Sequence, residues 1–383
     1  MQLVQVDGFA PVAVADSVEG RAEEAYTAAG VSSAELASVD TADEVTEVVE
    51  DGRRALLTDG DALAAAELDV IVESTGDPVA GARHAFEAIQ GGTHVVTGTV
   101  EADATVGPFL ADLAASRGVV YTMAYGDQPA LIAELVAWAR TVGLDVVAAG
   151  RGIGSYDANA AIELCAAANA TGLPPDADGL HVPTVGLEDV PEQFRPTASG
   201  GCLSTSGVVD GAVSPADQRR AYGESIADGV FVVVTAADDD TRAFIQRKNR
   251  AGAVASADGD HVAFFRPHHL PGSETPVSVA AAANGQHTGV PVAHIADVVA
   301  TADRRIEPGT TVQIDYPKTN APITAGLERA ETAVRDGQVP FALLDGAEFT
   351  QSVDAGEPIR YGVVDLEETF LRHFRAIGEG RFG

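Results

Sequence analysis

The sequence predicts an α/β protein with an incomplete parallel sheet, followed by an α+β middle and a small β-rich tail, and three observations predict it. Short apolar runs alternate with segments long enough for crossover helices as far as about residue 152. Beyond that point Pro-, Gly- and Asp-rich connections separate isolated strands. From about residue 291 the pattern is an apolar strand, a polar turn with Pro or Gly, then another strand. The corresponding divisions are 1–152, 153–290 and 291–383.

The elements follow in order. "PVAVADS" is an apolar run that stops at Asp16, and "VEGRAEEAYTAAG" after it has helical spacing. "RALLTD", "DVIVEST" (69–75), "THVVTGT" (93–99), "GVVYTMAY" (118–125) and "DVVAAG" (145–150) continue the strand series. Between them, "PVAGARHAFEAIQGG" puts Val79, Ala82, Phe86 and Ile89 on one helical face and closes on a glycine stop. Strands buried on both faces by such helices form a parallel sheet that takes ligands at its carboxyl ends. In a dinucleotide-binding sheet the acid ending the second strand follows a first strand and a G-x-G-x-x-G turn by about twenty residues. Asp16 leaves no room for them, so the sheet is expected to lack its first strand and the chain to be truncated.

Composition narrows the function. There are 57 acids against 24 bases, a net charge of −33, and only two lysines, Lys248 and Lys318. The acids are dispersed, which suits a halophilic, high-salt interior where self-repulsion is screened. No basic stripe exists to neutralise phosphates, so nucleic acid and anionic membrane are excluded as partners, leaving a small-molecule substrate. Cys165 and Cys202 lack metal spacing, no signal peptide stands out, and no apolar run is long enough to span a bilayer. A reduced, cytoplasmic setting follows as the expectation.

Several stretches carry chemistry. Asp16 either accepts the adenosine-ribose hydroxyls of NAD, repelling a 2′-phosphate, or caps the next helix. In "VESTGDP" (72–78), Ser74, Thr75 and Gly76 run into Asp77-Pro78, gathering backbone N–H groups and a hydroxyl at a helix start, a geometry suited to a phosphate or a nicotinamide ribose. "GRGIG" (150–154) has the wrong spacing for a phosphate loop and reads as a hinge. "FFRPHHLPGSE" (264–274) collects Arg266, His268 and His269 at a strand end, with an anion-holding Arg and one acid–base His as the functional reading and a structural His as the other. Asp127 in "AYGDQPA" is a helix cap, a ligand of a divalent metal or a substrate contact, and Glu101 in "VTGTVEAD" follows a sheet strand toward the same crevice.

Taken together, "ESTGDPVAGARHAFEAIQGGTHVVTGTVEADATVGP", "VVYTMAYGDQPA", "ANATGLPPD" and "FRPHHLPGSETPVSV" resemble the homoserine-dehydrogenase-like NAD(P)-dependent oxidoreductases, which include the deoxyxylulose-phosphate-reductoisomerase-like enzymes and carry a C-terminal SAF-type β module. The resemblance implies a Rossmann-type domain, an α+β catalytic domain, reversible hydride transfer with NAD or NADP, and a homo-oligomer. It makes Asp16 the adenosine-ribose acid, Ser74-Thr75-Gly76 the nicotinamide-side loop, Glu101 with Gly126-Asp127 the crevice wall, and Arg266 and His268 the residues facing the substrate. The chain departs from the pattern at its absent glycine loop, at "SYDANAAIEL", which offers Asn159 and no lysine, and at a short connection between Gly154 and Ser155. The relay of the proton would then fall to His268 or Asp127. The runner-up is a non-catalytic relative that binds a nucleotide or metabolite.

Overall fold

The computed structural model describes residues 2–177, 179–216, 225–227, 229–236, 238–247, 253–316 and 318–382. The amino-terminal third is the α/β architecture that the alternating runs predict, but built as two parallel sheets. Strands β1 (Ala13–Ala15), β2 (Leu36–Ser38) and β3 (Arg54–Leu57) pair in the order β1-β3-β2, with helix α1 (Arg21–Ala28) between the first two. Helices α2 (Ala42–Glu50) and α3 (Gly60–Ala64) flank β3 in the chain, and Val45, Val48, Ala55 and Leu57 form the small core here.

Strands β4 (Val70–Glu73), β5 (His94–Thr97) and β6 (Tyr121–Met123) form the second sheet, in chain order. Helices α4 (Pro78–Gly91) and α5 (Val100–Arg117) make the crossovers, and α6 (Gln128–Thr141) follows β6. Among the described residues no strand joins β1 to β4, so the two sheets are separate. The free edge of β6 is closed by the 288–289 backbone, where the Gly289 carbonyl accepts the Met123 N–H at 2.8 Å.

The run "DVVAAG" does not extend this sheet. It is the core of β7 (Leu144–Ile153), which lies inside a mostly antiparallel sheet ordered β10-β11-β9-β7-β8, with β8 (Val208–Val213), β9 (Val230–Ala236), β10 (Ala253–Ala255) and β11 (Val262–Arg266). An apolar run carries no mark of which sheet it joins, because both are buried on two faces. Nor is "GRGIG" a hinge. Gly150 and Gly152 sit in β7 where the Asp210 and Ile226 carbonyls occupy the space a Cβ would take.

Helix α7 (Ala158–Thr171) backs this sheet with a nearly continuous run of buried small side chains, and the short α8 (Val190–Gln193) and α9 (Asp239–Arg247) decorate it. Helix α10 (Pro276–Ala283) returns to β4–β6, where Val279 and Ala282 pack on Val96 and Ala124. The tail is β-rich, as its turns predict. A seven-residue antiparallel pair, β12 (Ala296–Ala302) with β15 (Ile323–Arg329), supports two short ribbons, β13 (Ile314–Asp315) with β14 (Lys318–Thr319) and β16 (Glu348–Phe349) with β17 (Val364–Asp365). Helix α11 (Ala330–Arg335) follows β15.

The last helix, α12 (Phe370–Phe382), ties the tail to the first unit. Phe374 stacks on Phe86 and Phe109 with ring centroids 4.8 and 5.3 Å apart. Arg375 holds Asp297 through two hydrogen bonds of 2.6 Å, both groups buried, and donates to the Thr105 carbonyl at 3.2 Å.

Candidate active site

Three strand ends meet at the carboxyl edge of β4–β6. At the first, β4 stops on Glu73, whose side chain is almost wholly buried. Glu73 Oε1 accepts the Thr75 N–H at 3.1 Å and the Thr75 hydroxyl at 2.7 Å. The turn is closed further along: Gly76 N–H donates to the Thr99 hydroxyl oxygen at 3.1 Å, and Asp77 N–H to the Thr75 hydroxyl oxygen at 3.3 Å. Asp77 Oδ1 then caps α4, accepting Val79 and Ala80 N–H at 2.8 and 3.0 Å. Burial alone would raise the Glu73 carboxyl; hydrogen bonds from His84, Thr99 and Thr75 hold it below its ordinary value.

This corrects the reading of "VESTGDP" as a set of offered N–H groups. The donors of Thr75, Gly76, Asp77, Val79 and Ala80 already have partners within the protein. The loop presents oxygens to a ligand, and the side chains of Ser74 and Thr75 remain at the sheet edge.

At the second end, Glu101 stands in the first turn of α5. Burial, with the Glu73 charge added, raises its carboxyl above the ordinary value. At the third, Gly126 adopts φ 101° and Asp127 sits at the N-cap of α6, where its carboxylate makes no capping bond. A Cβ on Gly126 would lie 2.7 Å from the Leu270 carbonyl oxygen and 3.0 Å from Glu274 Cβ, so only glycine lets the 267–275 loop close over this turn. A Cβ on Gly98 would lie 3.5 Å from Ser74 Cβ and 3.9 Å from Asp127 Oδ2, which puts Ser74 and Asp127 next to one spot. Burial, with the Glu101 charge beside it, pushes the Asp127 carboxyl up to about 7.

The structure therefore brings Ser74, Thr75, Gly76, Glu101, Gly126 and Asp127 together. Arg266 lies beside the Gly126 turn, bonded to the neighbouring Tyr125 hydroxyl, but its charge is engaged there. Arg266 is spent on Glu274 at 2.5 Å, Glu134 at 3.3 Å and the Tyr125 hydroxyl at 2.8 Å, so its charge is neutralised before any anion arrives. His268 is exposed, while the ring of the neighbouring His269 turns inward to within 3.5 Å of the buried Gln128 Nε2. Strand-end residues alternate in direction, and the inward one of the pair is His269.

Asp16 lies on the other sheet, at the carboxyl end of β1. It does not cap α1, which starts after Gly20; its Oδ1 accepts the Val18 N–H at 2.9 Å. It borders a cavity of about 520 Å³ that Glu19, Glu23, Ser38, Asp40 and Thr58 also line. A second cavity, of about 500 Å³, opens beside Gly76, Asp77 and Glu101. Asn159 of α7 lines it, together with Asp315, Tyr316, Asp345 and Glu367 from the tail. Among the described residues no group of three or more His, Cys, Asp or Glu side chains is placed to hold a metal ion, so the metal reading of Asp127 has no ligand set behind it. No helix among them is long and apolar enough to cross a membrane.

Sequence reasoning passed over Glu73, Thr99, Gln128 and the tail residues. Glu73 carried the signal used for Asp16, an acid ending an apolar parallel strand; the tail residues carried none.

The catalytic-domain model of the oxidoreductase DRL matches residues 126–161 and 155–275. Residues 126–275 are thus similar to an oxidoreductase catalytic domain. Its match begins on Gly126 and Asp127 and ends just past the 267–274 loop that covers them. No curated protein matches the chain. Among solved structures the chain is similar to 1-deoxy-D-xylulose 5-phosphate reductoisomerase from Zymomonas mobilis in complex with NADPH, at 14% identity over 43% of this chain and 51% of that one, with a TM-score of 0.28. It thus spans about half the length of that reductoisomerase. A probable dehydrogenase from Thermotoga maritima is 12% identical over 70% of this chain and 76% of its own, with a TM-score of 0.35. UDP-N-acetylglucosamine 3-dehydrogenase from Acidithiobacillus ferrooxidans is 16% identical over 68% and 69%, with a TM-score of 0.26.

Proposed function

We propose that the chain is an NAD(P)-dependent oxidoreductase that interconverts a small polar carbonyl and its alcohol in the cavity beside Glu101. The observation that carries this reading is the pair of carboxyls, Glu101 and Asp127, both raised above their ordinary values at the carboxyl edge of a parallel sheet and next to a cavity of ligand size. A carboxyl titrating near neutrality can give a proton to an alkoxide and take it back from an alcohol.

The residues suit the two nucleoside ends of a nicotinamide dinucleotide. Asp16 keeps Oδ2 for ribose hydroxyls, since Val18 occupies only Oδ1, and Ser74 offers a hydroxyl at the other sheet's edge, beside a Thr75 hydroxyl held by Glu73. The cofactor, when bound, supplies the hydride. Glu101, which lines the cavity, exchanges the proton with the substrate oxygen, and Asp127 behind it takes up or returns that proton. Asn159 and the Tyr316 hydroxyl orient the substrate. Four carboxylates, Asp16, Glu19, Glu23 and Asp40, line the adenosine-side cavity and would repel a 2′-phosphate, which favours NAD over NADP.

Fluorescence titration of the full chain with NADH and with NADPH, at high and at low salt, tests the reading. NADH is expected to bind about tenfold tighter than NADPH at low salt, and binding of neither would remove the proposal.

A further inference from the structure

Resting on the function just proposed, we propose that His84 is a positioning residue: its ring bridges Asp61, beside the first sheet, and Glu73, at the end of β4 in the second, and so fixes the spacing between the adenosine and nicotinamide halves of the cofactor cleft. The cleft needs such a device. Asp16 closes β1 and Ser74 follows β4, yet among the described residues no strand joins those two edges. In a continuous sheet, ladder hydrogen bonds between neighbouring strands set that spacing. Here α3, which follows β3, packs against α4, which follows β4. The apolar part of this joint includes small side chains, Ala64, Ala82 and Ala85, and apolar attraction has no direction.

The polar part of the joint has direction. His84 of α4 is buried, with Nε2 3.3 Å from Asp61 Oδ1 and Nδ1 3.5 Å from Glu73 Oε1. Each ring nitrogen thus faces an oxygen that only accepts, an arrangement served by an imidazolium donating to both. Glu73 Oε1 is also the atom that accepts the Thr75 N–H and hydroxyl, so the ring reaches the nicotinamide-side turn through a single oxygen. The seat of the ring is a second, independent observation. A Cβ on Gly60, the first residue of α3, would lie 2.5 Å from His84 Cε1 and Nε2, so glycine there admits the imidazole between the two helices. The φ of Gly60 lies outside the left-handed region, so the space and not the backbone calls for glycine. Arg83 Nε lies 2.7 Å from the same Asp61 oxygen, but both of those side chains are partly exposed and salt weakens such a pair.

Two readouts on the full chain test this, with His84→Leu, which keeps an apolar group in the joint, and Asp61→Asn, which breaks the other end of the bridge at a more exposed site. Spin labels at Glu47→Cys on α2 and Ser116→Cys on α5, in a Cys202→Ser background, report the spacing of the two sheets by electron–electron resonance. Ser116→Cys paired with Thr141→Cys on α6 is the control within the second unit. Both bridge variants are expected to broaden or shift the first distance distribution and to leave the control unchanged. NADH, which spans both sheets, should bind about tenfold weaker to either variant, while 5′-AMP, held on the Asp16 side alone, should stay within about twofold of the wild type. Unchanged sheet spacing, a control that broadens equally, or equal losses of NADH and 5′-AMP overturns the proposal. If His84→Leu fails to fold, Asp61→Asn decides by the same measures. If the wild type binds neither nucleotide, the cofactor reading falls, and the label distances still decide whether His84 holds the sheets.

Discussion

Replacing Asp127 by Asn should stabilise the protein at alkaline pH and do much less in acid. Burial and the Glu101 charge raise this carboxyl from 3.8 to about 7 in the folded chain. A rise of that size at one group corresponds to a ceiling of about 4 kcal/mol. The sign follows from proton counting. Between 3.8 and about 7 the native protein keeps a proton that the unfolded chain has lost, so the native state binds more protons and stability falls as pH rises through that window. Above about 7 the folded protein carries a buried carboxylate beside Glu101. Asparagine carries no such cost. Between pH 5 and pH 8 the variant should therefore gain about 2–3 kcal/mol on the wild type, or about 5 °C in unfolding midpoint for a chain of this size. Scanning calorimetry of both proteins at the two pH values and one salt concentration measures the difference. Glu101→Gln, which removes the neighbouring charge, should shift the wild-type profile in the same direction by less. Equal displacement of Asp127→Asn from wild type at pH 5 and pH 8 would refute the assigned burial and coupling. The same variant should lose about 100-fold or more in turnover if the carboxyl relays the proton.

Two further outcomes test the scaffold around the site. Gly126→Ala places a methyl 2.7 Å from the Leu270 carbonyl at φ 101°, and should cost about 1–3 kcal/mol and open the 267–275 loop to limited proteolysis; an unchanged cleavage rate would contradict the close packing. Arg375→Met strands Asp297, which burial would raise but Arg375 and His294 hold down at about 2, so about 3–5 kcal/mol should be lost above pH 3.8, and the wild type's own decline as pH falls toward 2 should flatten in the variant, as acid unfolding curves will show.

Much of the candidate site was legible in local sequence because its parts are strand ends. An apolar run stopping on an acid or a small polar residue, then a helix start, marks the carboxyl edge of a parallel sheet whatever its neighbours do. Ser74, Thr75, Gly76, Glu101 and Asp127 were read that way and Gly126 came from the family resemblance, and the structure gathers them. The same logic, applied to "VVAAG", named the strand correctly and its sheet incorrectly, since burial on both faces looks alike in either.

The sequence by itself determined the alternation of strands and helices and the acidic character of the whole. Local pattern and composition suffice for these, because each depends on residues a few positions apart. Only the tertiary structure decided that Arg266 is neutralised, that His269 and not His268 turns inward, that the "ESTGDP" donors are already satisfied, and that Tyr316 and Glu367 from the tail close the cavity over Glu101. Those outcomes depend on which groups from distant segments reach one another first, and charge and hydrogen-bond capacity once spent on a neighbour is no longer offered to a ligand.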